Sequence, residues 1–408
     1  MPWAIRTLLT ISAIALPLSI YIGFRSASAV GYLFPDAKRR ARWIAILLLA
    51  WLYSYPVAVL TLHLLGSTAT LPGPDDARGM TDYLFLYPQW ISLVIVAELT
   101  APFLLLDFAG LAGRFFPARR PQLRRVLAYI RLALVTAAVL YVPVRIFVDT
   151  TRVEDSTAAV HIKGLPAGLE GFRITLVGDI QVDKYTGDSR ISRVHSIVRT
   201  RDPHLLLSSG DIVTGGTAYL NQAQEAMCGI KGSLASVAVM GDHDQWSAPD
   251  EIRDMHKQCG WVFLENEHRI LHWRGKRILV TGLTHIYSRR LNDTRLTGIL
   301  ERAPEADIRI LLVHQPAEWI IHRASEYGYT IVTAGHTHGG QIVLHPLGIP
   351  LTPSMHETQY YSGSYRVGST AVVVTDGVGL TLAPIRYHAR SEVTTIVLQP
   401  GETSTTTR

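Results

Sequence analysis

Hydrophobic and polar positions divide the chain in two. Over the first third, apolar residues run almost unbroken through residues 3–23, 43–65, 85–112 and 126–148. Each run is about 20 residues or longer, the length that carries an α-helix across the hydrocarbon of a bilayer. An all-α bundle of four transmembrane helices is expected there. From Val153 the pattern changes to short apolar runs that end in polar residues: "FRITLVGDI", "HLLLSSGDI", "SVAVMGDHD", "RILVTGLTH", "IRILLVHQP", "YTIVTAGHTH" and "TAVVVTDGVG". These read as buried strands, and "RISRVHSIVRT", "LNQAQEAM" and "PAEWIIHRASEYG" as the helices between them. Such alternation builds an α/β domain with one large core. The chain therefore divides into a membrane domain over residues 1–150, an α/β domain over 151–400, and a polar tail, "GETSTTTR", over 401–408 that is expected to be disordered.

Composition supports the membrane reading. Of the 408 residues, 48% are hydrophobic and 18% charged, and the mean hydropathy is +0.18, too apolar for an ordinary soluble protein. The first apolar run has a weak basic start and no clean small-residue cleavage site, and three more runs follow it, so a secretory signal is not the better reading. The first loop carries Arg25, Lys38, Arg39, Arg40 and Arg42, and the third Arg114, Arg119, Arg120, Arg124 and Arg125, whereas the second has Arg78 alone. The positive-inside rule then puts the first and third loops in the cytoplasm and everything after Phe147 outside. The expectation is a multi-pass protein of the cell (inner) membrane whose α/β domain is extracytoplasmic. The net charge of +6 belongs in part to these flanks, so the lipid bilayer is the expected partner and no nucleic acid is. Asp107 and Arg131 lie at similar depth near the cytoplasmic ends of their spans and are expected to pair. Glu98 lies deeper, without an evident partner.

Candidate chemistry sits at the strand ends. Asp179 follows the first strand, Asp211 the second, and Asp242, His243 and Asp244 the third; His314 follows another, and His336 and His338 the next. In open α/β sheets such positions converge on one rim, where ligands bind. Imidazole is the commonest metal ligand. Three carboxylates with three imidazoles suit two divalent cations, leaving His243 for other work. The glycines around His336 and His338 let other groups approach closely.

The order "GDIQ", "GDIVTGG", "GDHD", "HQP", "GHTHGGQ" resembles the calcineurin-like metallophosphoesterases, whose blocks read D-x-H, G-D-x-x-D, G-N-H-D/E, H and G-H-x-H. The resemblance covers about residues 158–398, and with several spans ahead of the domain the chain looks like the transmembrane proteins with a metallophosphoesterase domain. It implies a four-layer α/β/β/α sandwich and metal-dependent hydrolysis of a phosphodiester, pyrophosphate or phosphomonoester, here of a lipid or envelope substrate. By the same resemblance Asp179 and His338 would hold one metal, Asp211 would bridge, and Asp242, His314 and His336 would hold the second. A bridging hydroxide would attack phosphorus, with His243 as general acid or electrostatic stabiliser oriented by Asp244.

Three positions depart from the family pattern. Gln181 stands in the place of a metal-binding His, Thr214 replaces the last Asp of G-D-x-x-D, and Asp242 replaces the Asn. Gln181 still offers a carbonyl oxygen. Exchanging nitrogen for oxygen makes the site harder, which favours Mn or Mg over Zn among the divalent ions Mn, Fe, Zn and Mg. The loop "HPLGIPLTPSMHETQYYSGSYRVG" reads as a substrate-binding wall, with Tyr360, Tyr361, His345 and His356 as candidate contacts or loop packing. The other class of function these features allow is a metal-binding sensor that signals through the spans. Cys228 and Cys259, the two cysteines, both fall in the α/β domain, and their pairing is left open.

Overall fold

The computed structural model describes residues 3–66 and 78–401. The polar tail and most of the second loop, about which the sequence raised expectations, lie outside the described residues. The apolar third forms four long helices: α1 (Trp3–Leu33), α2 (Lys38–Leu64), α3 (Tyr87–Ala112) and α4 (Arg120–Thr151). All four are long and apolar enough to cross a membrane. Each contains an interior proline, Pro17, Pro56, Pro102 and Pro143, which a membrane helix tolerates because its neighbours satisfy the freed carbonyls. Asp107 does pair with Arg131, at 2.6 Å, and also accepts from Arg25 at 2.5 Å and Tyr21 at 2.8 Å. Glu98 has a partner that lies far away in sequence: its Oε1 accepts the backbone N–H of His345 at 2.9 Å.

One residue separates α4 from β1 (Val153–Ile162), so the membrane bundle runs straight into a sheet. The α/β part consists of two six-stranded mixed sheets. In chain order the first contains β1, β2 (Arg173–Val177), β3 (Leu205–Ser208), β4 (Ala235–Ala238), β5 (Val262–Phe263) and β12 (Ser391–Pro400), ordered β1-β12-β2-β3-β4-β5. The second contains β6 (Glu267–Trp273), β7 (Lys276–Leu283), β8 (Ile308–Val313), β9 (Ile331–Ala334), β10 (Gly363–Val367) and β11 (Thr370–Val374), ordered β10-β11-β9-β8-β7-β6. Leu176, Leu207 and Val237 of one sheet pack against Ile278, Ile310 and Val373 of the other in a shared core. On the outer faces α5 (Asp188–Arg201), α6 (Leu220–Cys228) and, after the short α7 (Asp242–Ser247), α8 (Pro249–Gln258) cover the first sheet, and α9 (Asp293–Glu301) and α10 (Glu318–Glu326) the second. This is the expected four-layer sandwich. Its inner strands are covered on both faces, hence their unbroken apolar sequence.

The cysteines are bonded: Cys228 at the end of α6 and Cys259 just after α8 have Cα atoms 4.7 Å apart. The domain also docks on the bundle. Ala383, Ile385 and Tyr387 share a buried cluster with Leu8 of α1, Trp90 and Leu93 of α3, and Ile146 of α4. Lys184 meets Asp82 at 3.2 Å, both side chains buried, and Asp149 of α4 accepts from the His388 backbone at 2.7 Å.

Candidate active site

The candidate ligands lie on the turns that follow β2, β3, β4, β8 and β9, and the chain reaches them by bending sharply. Asp179, Gln181, Asp211, His336 and His338 all have positive φ, between 50° and 71°. Non-glycine residues in this region are uncommon and are held there only by strong surroundings, typically at functional sites. Glycine makes the approach possible: a side chain at Gly335 would collide with the Asp179 carboxylate, and one at Gly241 with that of Asp211.

The acids and imidazoles converge. Ligand atoms of Asp242, His314 and His336 lie within 4.8 Å of one another, and so do those of Asp179, Asp211 and His314. His314 Nδ1 lies 2.8 Å from the Ser209 carbonyl, which turns Nε2 to within 3.3 Å of both Asp211 and Asp242. His314 thus stands between the two groups of ligands rather than within one. His336 Nδ1 lies 3.3 Å from Asp242, and His338 Nε2 3.6 Å from Asp179. Tyr287 N–H and the Gln315 amide donate to Asp242 at 2.6 and 2.8 Å, supporting a full carboxylate where the family pattern has an amide. Gln181 is fully buried; its amide nitrogen donates to Asp211 at 3.1 Å, and its carbonyl oxygen has no partner.

Charge in the cluster is lopsided. Burial, reinforced by Asp211, pushes Asp179 up to about 6. Against burial, hydrogen bonds from His314 and His336 hold Asp242 well below the carboxylate range; also against burial, Asp211 and Asp242 raise His314 well above its ordinary value, and Asp242 and Glu357 raise His336 to about 9. Burial and the Arg386 guanidinium hold His338 well below its ordinary value, so it stays neutral. Three buried carboxylates, a neutral imidazole and an orphaned amide oxygen form a donor set that fits divalent cations, which would displace the imidazolium protons.

His243 is oriented by a different group from the one the family resemblance implied. Its Nδ1 lies 2.6 Å from the Thr214 carbonyl and its Nε2 3.2 Å from Thr381 Oγ1. Asp244 points away from it, accepting backbone N–H groups of Asp211 and Ile212 at 2.8 Å and Gly241 at 3.2 Å. It braces the turn that carries Asp211, and burial there pushes it up to about 7. Thr214 gives its hydroxyl to Asp183 at 2.9 Å, so a neighbouring buried carboxylate occupies the surroundings of the replaced Asp.

The loop after the histidines departs from expectation. Tyr360 is buried under the second sheet, edge-on to Tyr365 at 5.1 Å, and Tyr361 takes the Thr337 hydroxyl on its carbonyl; neither lines the cavity. His345 faces His388 at 2.9 Å, and His356 is exposed outside the cavity. The same loop instead delivers Glu357, whose Oε2 lies 3.0 Å from His336 Nε2 and whose Oε1 accepts from Tyr287 at 2.5 Å. Trp246 stacks parallel to Tyr287 with centroids 6.2 Å apart and meets His243 edge-on at 5.3 Å. Arg386, fully buried, donates to the carbonyls of His338, Asp376 and Gly379, tying the histidine turn to the loop after β11. Burial lowers it only to about 10, so it remains a cation.

A cavity of about 890 Å³ opens over this cluster, with Asp211, Asp242, His243, His336 and His338 in its wall. Two facing mixed sheets with a His/Asp rim of this kind define a metal-dependent phosphoesterase domain. The chain carries a calcineurin-like metallophosphoesterase domain, matched by the calcineurin-like phosphoesterase family model over residues 172–340. It belongs with hydrolases acting on phosphoester bonds. It is 26% identical over 259 residues to an uncharacterized metallophosphoesterase, YkuE, of Bacillus subtilis, a match covering 62% of this chain and 88% of the relative. It is 30% identical over 257 residues to a transmembrane protein with metallophosphoesterase domain of Danio rerio, covering 59% of this chain and 56% of that one. It is 24% identical over 232 residues to the phosphodiesterase YaeI of Escherichia coli, covering 56% and 82%. The chain thus spans about half the length of the fish protein and most of the bacterial ones.

Proposed function

We propose that residues 151–400, anchored by the membrane domain of residues 1–150, hydrolyse a phosphodiester, pyrophosphate or phosphomonoester of a lipid or envelope substrate on the extracytoplasmic side. The observation that carries this reading is the convergence of Asp179, Asp211, Asp242, His314, His336 and His338 beside a cavity that also exposes His243. Support for the orientation comes from the helix order: the domain packs at the ends of the helices opposite the Arg-rich loops, which favour the cytoplasm.

Asp179, Gln181, Asp211 and His338 would hold one divalent cation, and Asp211, Asp242, His314 and His336 the other, with Mn favoured. When bound, such a pair activates water at neutral pH and neutralises charge on the phosphoryl oxygens. The protein's own part is positional. With Nδ1–H given to the Thr214 carbonyl, His243 Nε2 is the atom that can carry a proton toward substrate. In hydrolysis the water oxygen bonds to phosphorus, the ester P–O bond breaks, and His243 supplies the proton that the leaving oxygen takes. Trp246 and Tyr287 line the cavity beside His243. A sensor would not need His243 poised in this way.

The test is turnover by the purified full-length protein of an aryl phosphodiester and an aryl phosphomonoester, before and after chelation and on return of Mn. Hydrolysis lost on chelation and restored by Mn supports the reading. A protein that takes up metal yet turns over neither ester supports the sensor.

A further inference from the structure

The cavity does not end at the histidines. It continues between two membrane helices, where Ile11, Ala15 and Leu18 of α1 face Leu93, Val94 and Ala97 of α3. Ile11 to Leu18 spans about 10 Å of helix at 1.5 Å per residue. The arm begins about 12 Å along α1 from Trp3 by the same rise, within the stretch of that helix apolar enough to cross a membrane. Ile14 lines the arm and is still 66% exposed, so the arm opens sideways, toward the face that the bilayer covers.

Two further observations bear on the occupant. Trp90 also lines the cavity, and its indole N–H is buried without an acceptor. That nitrogen has no accessible surface, so the ring rather than its N–H meets whatever fills the cavity. In addition, the loop through Leu347, Ile349 and Leu351, which are 62%, 62% and 49% exposed, is tied to α3 at Glu98, about 16 Å along that helix from Tyr87. Exposed apolar side chains beside a helix apolar enough to cross a membrane form a face suited to lipid.

We propose that the substrate is a phosphoester of a membrane lipid, which enters laterally between α1 and α3. Its phosphate lies at the Asp/His cluster, and one hydrocarbon chain lies along the arm. This rests on the phosphoesterase reading above. A water-soluble ester would leave the arm unfilled.

The experiment uses full-length, Mn-loaded protein in amphipol and a series of monomeric alkyl aryl phosphodiesters, from methyl to octyl. Chain burial predicts that kcat/KM rises with length by up to about fourfold per methylene, the equivalent of about 0.8 kcal/mol. Filling the arm by Ala97→Trp, or more gently by Ala15→Leu, flattens that dependence; comparing the slope within each variant cancels any loss common to all esters. In wild-type protein, a phospholipid with a photoreactive group at the chain end labels residues 11–18 and 90–97. A flat dependence in wild type, with the methyl ester hydrolysed, overturns the lipid assignment and leaves the phosphoesterase standing. A steep dependence that both variants retain, with labelling only outside α1 and α3, overturns the arm as the chain site. Failure to hydrolyse any ester in the series overturns the phosphoesterase reading itself.

Discussion

Replacing Glu357 with Gln tests whether a residue outside the family blocks supports the metal centre. Glu357 Oε2 holds His336 Nε2 at 3.0 Å, leaving Nδ1 turned toward Asp242. Its hydrogen bond with His336 keeps Glu357 below the ordinary carboxylate range. Carboxylates in this position fix the tautomer and raise the basicity of a ligating imidazole, and their loss costs 10–100-fold in metal affinity. The Glu357 side chain is 48% exposed, so solvent screens the pair and the lower end applies. The expected loss is about tenfold, about 1.4 kcal/mol, confined to one of the two cations. Turnover at saturating Mn should change less than metal affinity does. The assay is a Mn titration followed by activity and by calorimetry, with Tyr287→Phe as a variant that keeps the Glu357 carboxylate on His336 but removes the Tyr287 hydroxyl from both Glu357 and His336. Unchanged metal affinity with a raised KM would refute the argument and make Glu357 a substrate contact.

His243→Ala should keep metal content and lower kcat by about 10²–10⁴-fold, the range for loss of a general acid; metal lost together with activity would make His243 a ligand. Gln181→His should raise affinity for Zn relative to Mn, since imidazole suits Zn better than an amide oxygen does; unchanged preference in metal titrations would turn Gln181 away from the metals. His256, fully buried, is pushed down to about 4 by burial, while the unfolded chain takes up that proton near 6.5. Its contribution is therefore complete above pH 6.5 and declines by up to about 3 kcal/mol as pH falls to 4. Thermal melts of His256→Leu between pH 7 and 4.5 should fall less steeply than those of wild type, and parallel curves would count against this.

Much of this was legible in sequence because it is local. A strand that ends in Gly-Asp or Gly-His states its own position on the rim, and four such ends in one chain point to one site. The rest depends on distance. Glu357 reaches His336 across a loop with no periodicity, and the same loop turns inward after Thr358, which carries Tyr360 under the second sheet instead of into the cavity. Arg386 acts on backbone carbonyls, which leave no pattern in side-chain spelling. Asp244 sits next to His243 in the chain, yet the helix that starts at Asp242 turns the two side chains apart. Glu98 had no visible partner because its partner is a backbone amide 247 positions away. Strands β1, β5, β6, β10 and β12 lie outside the apolar runs read as strands; in β1, β6 and β10 the polar, partly exposed positions break the apolar signal that the inner strands give.

The central claim is that Asp179, Asp211, Asp242 and the three histidines hold a pair of cations. It is tested most directly by metal content per chain, measured for purified wild-type protein and for Asp211→Asn in the same Mn-containing buffer. In the proposed ligand sets Asp211 serves both cations, so wild type should carry two Mn ions and Asp211→Asn markedly fewer. A wild-type protein that binds no metal, or a variant that keeps both ions, would contradict the account.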